Sequence, residues 1–227
     1  MFNLKAFNLN PCLFLLALLG CLALSPSARA ADVHFVASAV DRHYNQLRSL
    51  QCEFTETYTG LGMDRTESGT LWLKKPGKMR WQYRSPSGKL FVSDGKDAWF
   101  YVPGEQQVRK TDVKKLDDLR SPLAFLLGKT RLEKELHDLS FAPDRHPVTP
   151  GDVMLRGVPQ TMPDRENQVL LEITPENAIS RISIEAADGS TTEYRLSGQK
   201  EDVPLADSLF RFSVPPGVEV VEGSFGQ

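Results

Sequence analysis

The chain has 227 residues, of which 41% are hydrophobic and 25% charged, with a formal net charge of -2. That length suits one domain with a sizeable core, and that charge gives no electrostatic footing for nucleic acid or an anionic membrane surface. Two of the three cysteines, Cys12 and Cys21, stand in an apolar leader, so no disulfide framework is expected in the rest of the chain.

Residues 1–30 read as a secretory signal that is cleaved. Lys5 gives a modest positive start, residues 12–24 are almost wholly apolar, and Ala28-Arg29-Ala30 offers the small-x-small pattern of a cleavage site. The cut is expected before Ala31, leaving residues 31–227 as a single domain that is more acidic by two charges, since Lys5 and Arg29 are lost. The apolar run is shorter than the ~20 residues a membrane-spanning helix needs. An alternative stays open: Leu18-Leu19-Gly20-Cys21 resembles a lipobox, although Leu22-Ala23-Leu24 continues the apolar run where a lipid-anchored chain would turn polar.

Residues 32–49 carry Val33, Val36, Ala37, Val40, Tyr44 and Leu47 at three- and four-residue spacing behind Asp32, which predicts a capped amphipathic helix. Residues 50–59 alternate Leu50, Cys52 and Phe54 against Gln51, Glu53 and Thr55, and 60–67 reads as a polar loop. Cys52, alone after cleavage, is expected to be a small buried hydrophobe. From 69 to 110 strand periodicity dominates in four or five short strands. Leu71, Leu73 and Lys75 share one face, as do Met79, Trp81 and Tyr83, and Leu90 with Val92 continues the pattern; Trp99 and Tyr101 alternate with Phe100.

The period changes at 112–120, which is charged and helix-compatible. Residues 121–128 read as a short apolar helix with Ser121 as its cap, Pro122 at its first position and Gly128 as its stop. Residues 129–137 are charged and read as helical, and five prolines between 143 and 163 mark turns around a strand at 153–158. Strands return at 168–174, 179–186 and 191–197, the last two joined by Asp188-Gly189, and a final strand is expected at 210–214. The economical architecture is one antiparallel sheet that curls, its concave face covered by the helices at 32–49 and 121–127.

No nucleophile elbow, P-loop, dinucleotide-binding or zinc-ligand spacing occurs, and His34, His43, His137 and His146 read as surface residues. No catalytic residue, metal or cofactor is expected. Glu53 and Glu56 read as a solvated strand face. Lys74-Lys75-Pro76-Gly77-Lys78 reads either as a solvated turn with edge-protecting lysines or as a latch. In the second reading Lys75, in phase with Leu71 and Leu73, reaches the carbonyls at the end of a covering helix.

The order of features resembles the LolA family of periplasmic outer-membrane lipoprotein carriers. The residues that carry the resemblance are Phe54-Thr55-Glu56, Gly69-Thr70-Leu71-Trp72-Leu73-Lys74-Lys75-Pro76, Trp81, Val92-Ser93-Asp94-Gly95-Lys96, Trp99-Phe100-Tyr101, Ser121-Pro122 and 212–218. The resemblance implies a mainly β fold, an incomplete antiparallel β-barrel with a lid of short helices over a hydrophobic cavity. It implies a monomer without enzymatic activity, located in the periplasm. Its partners would be acylated outer-membrane lipoproteins, the inner-membrane ABC transporter that releases them and an outer-membrane receptor, and it would bind no nucleic acid.

On that expectation the cavity wall comprises Phe54, Leu71, Leu73, Met79, Trp81, Leu90, Val92, Leu171, Ile182 and Ile184. The lid comprises Pro122, Leu123, Phe125, Leu126 and Leu127, and Lys75 is the latch. The family's latch is an arginine, so lysine is a departure that keeps the charge and loses the planar fork. Two neighbouring functions fit the same features: a lipid-anchored receptor of the same fold, and a periplasmic module that senses lipoproteins. A lipid-modifying enzyme is a more distant third.

Overall fold

The computed structural model describes residues 32–113, 131–160 and 166–223, all within one compact unit, Ala31–Gln227. Helix α1, Val33–Gln46, begins where Asp32 accepts a hydrogen bond from the His34 amide at 3.0 Å. Its buried residues Ala37, Val40 and Tyr44 form the stripe that the spacing predicts, while Phe35 on another face is 67% exposed.

Among the described residues, eleven strands follow in antiparallel neighbourhood. They are β1 Ser49–Gly60, β2 Met63–Lys74, β3 Lys78–Ser85, β4 Leu90–Asp94, β5 Asp97–Tyr101 and β6 Gln107–Asp112, then β7 Leu136–Phe141, β8 Val153–Pro159, β9 Glu166–Ile173, β10 Ile179–Ala186 and β11 Thr191–Glu201. A twelfth, β12 Glu219–Glu222, pairs with β6 in parallel. The sheet runs β12-β6-β5-β4-β3-β2-β1-β11-β10-β9-β8-β7, so its two edges do not meet. It curls nevertheless. One apolar cluster joins the α1 stripe to Leu71, Leu73 and Met79 on one side and to Leu155, Leu171 and Ile179 on the other, which a flat sheet of this width cannot do.

Three expectations are corrected. Residues 60–67 are not a loop: β1 and β2 pair without a break from Ser49↔Lys74 to Gly60↔Met63. The turn between them needs only Leu61 and Gly62, both at positive φ, 53° and 75°. Polar residues on both faces of this strand end hide its alternation, and the ladder holds it. Of the 129–137 segment, the described part from 131 has helix only in α2, Leu132–Glu135, and Leu136 opens β7. Charge favours helix there, but Leu136 is buried and the Glu135 carbonyl accepts from the Gln160 amide at 2.9 Å, which draws the chain to the edge of β8.

The C-terminal segment differs most. Instead of a strand at 210–214 there is a 3-10 helix, Asp207–Phe210, and then a non-strand stretch up to β12. This segment straps the face of β3–β5 turned away from α1. Arg80 donates to the Leu209 carbonyl at 3.1 Å, and Phe212 lies 6.1 Å from Trp99 and 6.2 Å from Tyr101, centroid to centroid. Packing Phe210, buried, and Phe212, half-buried, on a sheet face wins over pairing along an edge, which Pro215 and Pro216 would interrupt in any case.

Candidate functional site: the concave face and its rim

Alternation and register set the inward-facing rows. One row crosses the sheet as Cys52, Leu71, Trp81, Phe91 and Phe100; the next as Phe54, Gly69 and Tyr83. Phe54, Leu71, Leu73, Met79 and Trp81 are all buried within the main cluster, together with Leu171 and Ile182; Ile184 packs against it half-buried. The aromatic rings interlock: Phe54 lies 4.6 Å from Trp81 and 4.9 Å from Tyr83, and the Trp81 indole N–H points at the Met79 sulfur, 2.8 Å away. Gly69 makes room for them. A Cβ there would come within 2.8 Å of the Phe54 ring and 2.1 Å of the Gln82 carbonyl oxygen.

Leu90 and Val92 do not belong to this wall. Register pairs Trp81 with Phe91, so Phe91 faces inward, and Leu90 and Val92, opposite Gln82 and Arg80, face the other way. Val92 is fully buried there, on the side that carries the C-terminal strap. The parity of Met79, Trp81 and Tyr83, counted on past the turn at 86–89, falls on Phe91; Leu90 and Val92 are apolar because the opposite face of β4 is covered as well. The lid residues Pro122, Leu123, Phe125, Leu126 and Leu127 lie outside the described residues.

Lys75 follows β2 at the rim. Its ammonium donates to the Tyr44 carbonyl at 2.5 Å, in the last turn of α1, and its own amide donates to the Arg48 carbonyl at 2.9 Å. The last four carbonyls of a helix have no partner within it, and a cation at that end also complements the helix dipole. Partial burial pushes the Lys75 ammonium below its usual value. The Tyr44 hydroxyl, in turn, accepts from the Ile179 amide at 2.9 Å. The end of α1 is thus tied to both β2 and β10. Beside Lys75 a groove of about 700 Å³ opens between Arg48, Lys74 and residues 203–206.

Cys52 sits on the inward face, 1% exposed, and burial pushes its thiol up to about 12. Among the described residues no cluster of three His, Cys, Asp or Glu could hold a metal. His34, His43 and His137 each lie beside a carboxylate, Glu133, Glu201 and Asp138 respectively.

Glu56 is not the solvated residue expected. It is 8% exposed and accepts from the Tyr83 hydroxyl at 2.9 Å. The signal is present in the sequence: Glu56 shares the phase of Leu50, Cys52 and Phe54 and must face inward with them.

A curled, unclosed antiparallel sheet with an apolar inner face and an amphipathic helix laid across it defines the class: a half-barrel built around an internal apolar surface. The family model described as outer membrane lipoprotein carrier protein LolA matches residues 45–213, and the chain belongs to that family. Outer-membrane lipoprotein carrier proteins are among its relatives. That of Alkalilimnicola ehrlichii is 32% identical over 91% of this chain and 93% of its own length, and that of Nitrosospira multiformis 30% identical over 77% and 82%. Among solved structures, an uncharacterized conserved protein from Thermus thermophilus shares the fold at a TM-score of 0.53 and 13% identity, over 84% of this chain and 98% of that one.

Proposed function

We propose that this chain is a secreted periplasmic carrier that shelters the acyl chains of lipoproteins and delivers them to the outer membrane, without catalysis. The carrying observation is the inward wall of Phe54, Leu71, Met79, Trp81, Leu171 and Ile182 beneath a helix tied at its end by polar contacts. The physical need is large. Burying a methylene is worth ~0.8 kcal/mol, so a chain of about 16 carbons represents roughly 12 kcal/mol and does not cross water unescorted. Family membership and the names of the relatives supply the cargo class. In this reading an inner-membrane ABC transporter loads the carrier and an outer-membrane receptor unloads it. Net affinity has to stay within reach of a receptor, so that the cargo can be handed on.

The test is reconstitution. The secreted chain, mixed with an acylated lipoprotein in detergent that is then removed, should keep the lipoprotein soluble as a complex and pass it to vesicles bearing the receptor. Absence of a complex would sink the reading. Mass spectrometry of the N-terminus of protein recovered from cells decides between carrier and anchored receptor: a free Ala31 is expected, whereas an acylated Cys21 would point to the receptor.

A further inference from the structure

The inward face of the sheet is apolar along only part of its length. One step past the row of Phe54, Gly69 and Tyr83, about 7 Å further along the strands, the next inward pair is Glu56 and Glu67, directly opposite each other on β1 and β2. They are only 8% and 5% exposed. Like charges facing each other across a strand pair are unfavourable, and a buried carboxylate needs donors.

The two are served differently. Glu67 has cations: the Lys89 ammonium in close contact and the Arg65 guanidinium at 3.4 Å. Lys89 is held in place by the Tyr83 ring, 4.2 Å beneath it. The partners of Glu56 are hydroxyls, from Tyr83 at 2.9 Å and from Tyr194 on β11, and among the described residues it has no ion pair. A carboxylate offers about four acceptor sites. Two hydroxyls leave Glu56 with acceptor capacity, facing inward at the point where the wall turns from apolar to polar.

That gradient matches the cargo, an acylated chain end whose apolar tails stop at a polar head. Resting on the carrier reading, we propose that Glu56 is a head-group subsite, accepting a hydrogen bond from an N–H at the acylated terminus of the lipoprotein. The donor is an amide where that terminal nitrogen is acylated and an ammonium where it is free. Tyr83 and Tyr194 hold the carboxylate in place, and Lys89 neutralises Glu67 so that Glu56 is free to act.

The experiment measures displacement of a fluorescent fatty probe from the secreted chain by three ligands. These are a dipalmitoyl-cysteinyl peptide with a free amine, its N-palmitoylated counterpart, and methyl palmitate, which has no N–H. Glu56→Gln should weaken lipopeptide binding roughly tenfold, because a charged acceptor is replaced by a weaker neutral amide oxygen, and leave methyl palmitate unchanged. Loss for both peptides is the result expected of a subsite that takes either N–H; loss confined to the free-amine peptide would overturn the amide half and leave a subsite for the ammonium alone. Tyr83→Phe should act oppositely, raising the preference for lipopeptide over ester, because it vacates an acceptor site on Glu56. It decides the matter by itself should Glu56→Gln fail to fold. Unchanged preferences in both variants, or equal weakening of all three ligands, would overturn the subsite and make the network a brace for the sheet. Failure of the unaltered chain to bind any of the three would instead overturn the carrier reading, and the subsite with it.

Discussion

Lys75 ties a strand end to a helix end with one side chain, and its chemistry decides how firmly. Its ammonium reaches a single α1 carbonyl, that of Tyr44, whereas the planar fork of an arginine could engage several. Lys75→Leu should keep the fold, losing roughly 1 kcal/mol for the missing hydrogen bond, while impairing transfer of lipoprotein to the receptor. Circular dichroism and the transfer assay check the two halves, and normal transfer would make Lys75 a mere turn residue. Tyr44→Phe tests the other tie. It strands the buried Ile179 amide and should lower stability by about 1–3 kcal/mol in urea titration. Cys52 should resist thiol reagents at pH 8 until the protein unfolds, since burial both blocks access and keeps its thiol protonated up to about 12.

Among the elements, β2 and the C-terminal strap show how neighbours fix conformation. Gly69 is required by close approach: any Cβ would strike the backbone of β3. Gly69→Ala should therefore destabilise the domain by roughly 2 kcal/mol or more and loosen the Phe54 ring, visible as a lower midpoint in urea. The strap is tied by charge. Asp207 lies 2.6 Å from the Lys74 ammonium and 2.9 Å from that of Lys78, and these contacts hold its carboxyl down to about 2. Because the folded value lies below the unfolded one near 3.8, the stabilisation is fully present above that upper value and is lost as pH falls through about 2. Asp207→Asn should thus be less stable than the native chain at pH 5, and the gap should close between pH 4 and 2.

For the whole molecule, the sheet and its inner wall are legible in the sequence because they obey a period of two. Leu71, Leu73, Met79, Trp81, Leu171 and Ile182 are large apolar residues in phase within unbroken strands, and burial follows from phase. Legibility fails where the two faces of a strand look alike. Leu90, Phe91 and Val92 make both faces of β4 apolar, and polar residues on both faces conceal the start of β2. Glu56 misleads for a different reason: its charge suggests solvent while its position demands burial. The strap at 203–218 cannot be read locally, because its partners on β3–β5 are more than a hundred residues away in sequence.

The sequence by itself determined the helix stripe, the alternating strands and the apolar character of the inner wall, since each depends on neighbours within one element. Only the tertiary structure decided that Lys75 meets the Tyr44 carbonyl, that Phe210 and Phe212 lie across the opposite face, and that Glu56 and Glu67 face each other in a buried row. Those contacts join distant segments, and their existence depends on how far the sheet curls, a property of all its strands together rather than of any one.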